Sequence, residues 1–210
     1  MNYIYSMQGI KNIIFDLGGV LLNIDYNKTA TAFQQLGFKN FDELYSQFKA
    51  NQLFEDLETG KISDETFYQE VQKFASGDVK QKDIFLAWNA MLLDFRISSL
   101  DFLASIKNKY RLFLLSNTNI IHLTAFKEIL RKETGKPSLD EYFIKSYYSH
   151  EINLRKPYKD IYEFILKDGD MIAAETLFID DSYNNIEAAK KLGIKTHLLL
   201  AGERIEQLGL

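Results

Sequence analysis

An apolar run that stops at a carboxylate and two glycines, Ile13-Ile14-Phe15-Asp16-Leu17-Gly18-Gly19-Val20, constrains this chain more than any other stretch. The three apolar residues before Asp16 read as a buried strand, which puts the carboxylate at its C-terminal end. In an open α/β sheet ligands sit in the crevice beyond the carboxyl ends of the strands, and Gly18 and Gly19 allow a tight backbone path and close ligand approach. Taken alone, a strand ending in Asp-x-Gly is also an ordinary turn signal.

Three later segments change the weight of that first one. Residues 112–118 read Leu-Phe-Leu-Leu-Ser-Asn-Thr, residues 154–157 Leu-Arg-Lys-Pro, and residues 177–181 Leu-Phe-Ile-Asp-Asp, followed by Ser-Tyr-Asn-Asn-Ile-Glu-Ala-Ala. Strands alternate with helical patterns from Ser98 onward: a helix through Leu100, Leu103 and Ile106 capped by Ser98, a strand over Arg111 to Leu115, and a helix over roughly 119–132. A short strand at Ser146 to Ser149, a helix from about Asp160 to Lys167, a strand over 176–180, a helix over Asn184 to Leu192 and a last strand over 195–200 complete the pattern. Such alternation predicts a parallel sheet flanked by helices, a Rossmann-like α/β core. Parallel neighbours would gather Asp16, Ser116, Lys156, Asp180 and Asp181 along one sheet edge. Pro157 restricts Lys156 toward an extended conformation.

Residues 26–95 differ in kind, because they show helical periodicity with no long apolar strand. Asn27 is the expected cap of a first helix ending near Gly37, Phe41 to Leu57 carries a second, Ser63 with Asp64 and Glu65 starts a third, and Ile84, Phe85, Trp88, Met91 and Leu92 mark the face of a fourth. The expectation is a four-helix cap at 26–95 inserted into a core made of 1–25 and 96–210. This span carries 11 acidic against 7 basic residues, a net of -4 that accounts for the whole formal excess of the chain. That balance argues against a nucleic-acid partner, since phosphate backbones reward clustered Lys and Arg. No run approaches the ~18 apolar residues that span a bilayer. The first nine residues also lack a basic region leading into an apolar core, so the expected setting is the cytoplasm, without a membrane partner. With no cysteine in the 210 residues, a metal here must be bound by oxygen or histidine. The three histidines, His122, His150 and His197, have no ligand spacing and read as structural, and Trp88 reads as cap core.

In this order the four segments resemble the four motifs of the haloacid dehalogenase superfamily of hydrolases, most of which are phosphatases. The wording around Asp16, Ser116 and Asp180 is similar to the branch containing bacterial glucose 1-phosphate phosphatases and the N-terminal domain of soluble epoxide hydrolase. The resemblance implies an aspartyl-phosphate mechanism. Asp16 is then the nucleophile, Ser116 and the backbone of Asn117 hold phosphoryl oxygens, and Lys156 supplies a cation. Asp16, the Gly18 carbonyl and Asp181 bind Mg²⁺, with Asp180 and Asn185 behind them. A small phosphorylated metabolite is the expected substrate, with a monomer or weak homodimer as the expected assembly.

One position departs from that pattern. Most phosphatases of the superfamily carry a second Asp two residues after the nucleophile, as general acid and base, where this chain has Gly18. Three readings stay open: a substrate whose leaving group needs little protonation, such as an anomeric sugar phosphate; a substitute acid, Asp25 or an acidic cap residue; or a protein that binds phosphate compounds and hydrolyses them poorly. A metal-independent dehalogenase also uses the Asp nucleophile without the second Asp, but leaves the Asp180-Asp181 pair unexplained.

Overall fold

The computed structural model describes residues 8–38 and 52–210. Strand β1 (Asn12–Phe15) lies at the centre of a five-stranded parallel sheet with β4 (Arg111–Ser116) on one side and β6 (Thr176–Asp180) on the other. The edge strands β5 (Lys145–Tyr148) and β7 (Lys195–Leu198) complete it, in the order β5-β4-β1-β6-β7. Register follows side-chain alternation. Ile14 sits opposite Phe113 and Phe178, and Ile13 opposite Leu112 and Leu177, so each face of the sheet presents its own apolar set.

One face, through Ile13, Phe15, Leu112, Leu114, Leu177 and Ile179, packs with Leu100, Leu103 and Ile106 of α5 (Ile97–Ile106) and with Leu123, Phe126 and Leu130 of α6 (Ile120–Thr134). The other, through Ile14, Phe113, Leu115 and Phe178, packs with Ile161, Tyr162 and Ile165 of α8 (Lys159–Asp168) and with Ile186 and Ala189 of α9 (Tyr183–Lys190). A parallel sheet covered on both faces reads as near-continuous apolar runs, which is why the strands stand out in the sequence. A short helix α7 (Ser149–Ile152) follows β5 directly.

Between Asp25 and Met91 the described residues form α1 (Tyr26–Gln35), α2 (Leu53–Glu58), α3 (Asp64–Gln72) and α4 (Gln81–Asn89). They enclose a separate apolar cluster of Phe33, Phe38, Leu57, Phe67, Val71, Ile84 and Trp88, joined by Ile121 from α6. Ser63 caps α3 by accepting from Thr66 N, as its sequence predicts. The helix expected over Phe41 to Leu57 lies outside the described residues up to position 51; within the described residues α2 starts only at Leu53, after Gln52 in a left-handed conformation (φ +61°).

Three local expectations are corrected. The cap of α1 is Asp25, whose side chain accepts from Asn27 N at 3.0 Å; Asn27 is already helical. Helix α5 starts at Ile97, one residue before the expected cap Ser98, with Arg96 at the cap position. Leu92, assigned to the face of the fourth helix, instead opens β3 (Leu92–Phe95), which pairs antiparallel with β2 (Leu22–Ile24). This ribbon is the stem through which the helical segment leaves and re-enters the sheet. It is closed by Asp25 N to Met91 O at 2.9 Å and by Arg96 N to Leu21 O at 2.8 Å. Short strands whose apolar residues also fit a helical stripe are ambiguous by periodicity alone. No described helix is long and apolar enough to cross a membrane.

Asp25 is committed to this cap. Replacing an N-cap carboxylate by Ala costs about 0.5–2 kcal/mol, so Asp25→Ala is expected to lower the free energy of unfolding by that amount in urea melts, and an unchanged midpoint would count against the cap.

Candidate active site

Four strand or loop ends converge on the ammonium of Lys156. Its Nζ donates to Asp16 Oδ1 at 2.7 Å, to Asp180 Oδ2 at 2.7 Å and to the Leu115 carbonyl at 3.0 Å, and the residue is 1% exposed. The lysine therefore joins the ends of β1, β6 and β4 in one buried knot. Asn117 fixes the loop that delivers it: its Nδ2 donates to the Lys156 carbonyl and its Oδ1 accepts from the Lys156 N–H, both at 2.9 Å. The Lys156–Pro157 peptide is cis. Behind the knot, Asp180 Oδ1 accepts from Ser182 N at 2.8 Å and from Asn185 Nδ2 at 3.0 Å, while the Tyr162 hydroxyl holds the Asn185 carbonyl at 3.0 Å.

Asp16, Asp180 and Asp181 each offer an oxygen within 4.8 Å of the other two. Three carboxylates around one ammonium leave uncompensated negative charge. Burial raises Asp16 to about 7, and the neighbouring Asp180 and Asp181 add to the rise against the pull of Lys156. Asp181 is raised too, by burial and then by Asp180. Burial is also the largest single effect on Lys156 and acts to lower it, but the attraction of Asp16 and Asp180 together outweighs it and holds the ammonium above the ordinary lysine value. A hard divalent cation with oxygen ligands suits this donor set.

The two glycines have separate reasons. Gly19 has φ +72°, and a Cβ there would lie 2.0 Å from Asp181 Oδ2, so only glycine lets the chain pass so close to that carboxylate. A Cβ on Gly18 would stand 3.3 Å from Ile24 Cδ1. The β2 ribbon thus crowds the position where a second Asp would stand.

Residues 10–193 match the family of haloacid dehalogenase-like hydrolases. The chain belongs to this family. It is 33% identical over 187 residues to the D-ribitol-5-phosphate phosphatase of Bacteroides thetaiotaomicron, covering 89% of this chain and 90% of that protein. A crystal structure of a HAD family enzyme from the same organism superimposes with a TM-score of 0.90 at 35% identity, over 97% of this chain and 100% of that one. A complex with magnesium and inorganic phosphate, also of a B. thetaiotaomicron HAD family enzyme, superimposes with a TM-score of 0.85 at 35% identity, over 95% of this chain and 98% of that one.

In this haloacid dehalogenase-like hydrolase the helical segment also touches the knot, through residues that the sequence reading passed over. Arg155, directly before Lys156, pairs with Glu55 and with Glu58 at 3.1 Å each. Asn153 Nδ2 donates to the Thr59 carbonyl at 2.7 Å. A Cβ on Gly60 would meet the His150 carbonyl at 2.2 Å, so the turn after α2 lies directly against α7. The one signal for this contact was the Glu58-Thr59-Gly60 turn, which by itself says nothing about its partner. Glu58, Phe54, Trp88, Asn117 and His122 line a cavity of about 440 Å³ beside the knot. Burial raises the Glu58 carboxyl, against the pull of Arg155.

His122 and Trp88, read as structural, are both buried and both line this cavity. Burial lowers the His122 imidazole from 6.5 to about 3, so the unfolded chain binds a proton that the folded one refuses throughout that window. Wild-type stability must then fall relative to His122→Phe as pH drops from 6.5 toward 3, by up to ~1.4 kcal/mol per pH unit. Urea melts of both proteins between pH 6 and pH 4 check this, and a constant gap would mean a protonated imidazole in the folded state.

Proposed function

We propose that this protein is a Mg²⁺-dependent phosphatase of a small sugar or polyol phosphate, working through an aspartyl-phosphate on Asp16. The observation that carries the reading is the carboxylate trio around Lys156, because a buried nucleophile beside two further acids makes sense once a cation and an anionic substrate share the site. A dehalogenase acting on carbon would need neither. The phosphatase among the relatives, and the related enzyme that holds magnesium with phosphate, support the same choice.

Asp16, the Gly18 carbonyl and Asp181 would hold the metal, which supplies positive charge against the phosphoryl oxygens and keeps Asp16 ionised. An Asp16 oxygen attacks phosphorus, the ester oxygen leaves with the alcohol, and water then releases inorganic phosphate. Ser116 Oγ and the Asn117 N–H bind phosphoryl oxygens; the Asn117 side chain is occupied in positioning Lys156. Lys156 keeps its charge through the cycle and opposes the build-up of negative charge. Asp180 and Asn185 orient Lys156 from behind.

The leaving oxygen still needs a proton. Asp25 is engaged as a helix cap and Gly18 has no side chain, so we assign the proton to Glu58, the acid of the helical segment that borders the cavity and has a raised carboxyl. A cysteine-free composition suits the reducing cytoplasm.

Phosphate release from small esters is expected with Mg²⁺ and not with chelator, and Asp16→Asn should abolish it in a protein that is still folded at the assay temperature by circular dichroism. Release that survives in the purified variant would remove Asp16 from its role. Glu58→Gln should slow an alkyl phosphate far more than p-nitrophenyl phosphate, whose phenolate leaves without help; equal slowing would overturn the proton assignment. Finally, Mg²⁺ at ten times its dissociation constant should stabilise the wild type by about 1.4 kcal/mol. Thermal melts should show a smaller gain in Asp181→Ala, and an equal gain would place the metal elsewhere.

A further inference from the structure

The loop that delivers Lys156 to the knot also carries the contact with the helical segment. Arg155 and Lys156 are neighbours in the chain, yet Lys156 enters the knot while Arg155 meets the end of α2. Arg155 Nη1 donates to Glu55 Oε2 at 3.1 Å, and the same oxygen accepts from the Tyr158 hydroxyl at 3.2 Å. Glu55 and Tyr158 thus anchor the guanidinium from one side. The backbone of the turn after α2 is held separately, by Asn153 Nδ2 on the Thr59 carbonyl and by the close packing of Gly60 on α7.

Glu58 is the last residue of α2. Arg155 Nη2 stands 3.1 Å from its Oε2, but this buried oxygen has no hydrogen-bond partner among the described residues. The contact is therefore one of charge without hydrogen-bond alignment. Burial raises the Glu58 carboxyl, Arg155 pulls it down, Glu55 raises it and Lys156 lowers it. Burial and Arg155 oppose each other, which leaves a proton donor that can still ionise. A buried acid that gives up its proton becomes an anion that burial disfavours. A guanidinium at this distance offsets that penalty as the proton leaves and contributes less while the acid is neutral, which is the differential that accelerates a step. Arg155 does not itself line the 440 Å³ cavity, so its effect on the reaction must pass through a neighbour.

We infer that Arg155 is a positioning residue of the reaction, which fastens the Glu58 side chain to the loop of Lys156 so that proton donor and cation face the same ester. In the step it serves, phosphorus bonds to Asp16 and its bond to the ester oxygen breaks. That oxygen takes the Glu58 proton, and the Glu58 carboxylate is left opposite the guanidinium. The inference rests on the phosphatase reading and on Glu58 as the proton donor.

The test is a double-variant cycle of Arg155→Met and Glu58→Gln, assayed with Mg²⁺ on a pentitol 5-phosphate and on p-nitrophenyl phosphate. Arg155→Met should lower kcat on the pentitol ester by about ten- to a hundredfold, the scale of a misplaced catalytic group, with KM and the p-nitrophenyl rate changed by about twofold or less. In the Glu58→Gln background the same substitution should add nothing, because the two residues act as one unit. Equal losses on both esters, no loss on either, or a full further loss on top of Glu58→Gln would overturn the inference. Should Arg155→Met not fold, Glu55→Gln removes the anchor of the guanidinium instead. It should give the same ester pattern at smaller size, and a loss blind to the ester would count against the inference. Urea melts of wild type, the two single variants and the double variant need no turnover, and the two losses of stability should be non-additive. If the wild type hydrolyses no ester and the melts are non-additive, the fastening stands and the phosphatase reading fails. Hydrolysis with additive melts and an Arg155 effect blind to the ester gives the reverse.

Discussion

Everything at the C-terminal edge of this sheet is arranged around one buried ammonium. Taking Lys156 out of water is unfavourable, and it is tolerated because Asp16, Asp180 and the Leu115 carbonyl each accept one of its three protons. A buried ion pair contributes little net stability, but loss of one partner leaves an uncompensated charge and costs about 3–5 kcal/mol. The knot therefore works as a register pin. It fixes the ends of β1, β4 and β6 relative to one another, and a shift of any one of them would strand a charge in the interior.

The same balance is what makes the proposed pairing of a cation with a phosphate fit this site. Lys156 is shared between two carboxylates, and burial pushes both Asp16 and Asp181 toward the neutral acid against the pull of Lys156. A divalent ion held by these carboxylates would oppose that push and, on the proposed mechanism, favour the ionised form of Asp16. Gly19 is part of that balance, since its missing side chain is the space that Asp181 occupies.

The sheet and its active edge were legible in the sequence because both obey strong local rules. Strands buried on two faces leave apolar runs, and each run here ends in a polar group that has no reason to interrupt it except position. The strand over 176–180 ends where it was expected to, Asp16 and Asp180 both meet Lys156, and Ser116 is the last residue of the neighbouring β4. What was not legible depends on contacts between distant segments. Leu92 fits a helical stripe until its pairing with Ile24 is known. Asp25 and Asn27 are both good caps, and only the bend at the ribbon decides between them. Arg155 and Glu58 are 97 positions apart in a chain that gives no sign of their meeting.

Trp88 and His122, read as core and found buried, show what a hydrophobic pattern leaves out. Both satisfy the rules of an apolar face, and Trp88 does belong to the cluster that holds the helices together. What distinguishes them is directional: an indole N–H without a hydrogen-bond partner among the described residues, and an imidazole whose tautomer is set by an amide fixed one helical turn away, at Phe85. Hydrophobic periodicity carries no information about direction. Charged residues at the sheet edge punctuate the sequence, whereas buried polar atoms inside an apolar face do not. The polar edge therefore announces itself in the sequence, while the orientation of polar atoms within the helical segment appears only once its packing is known.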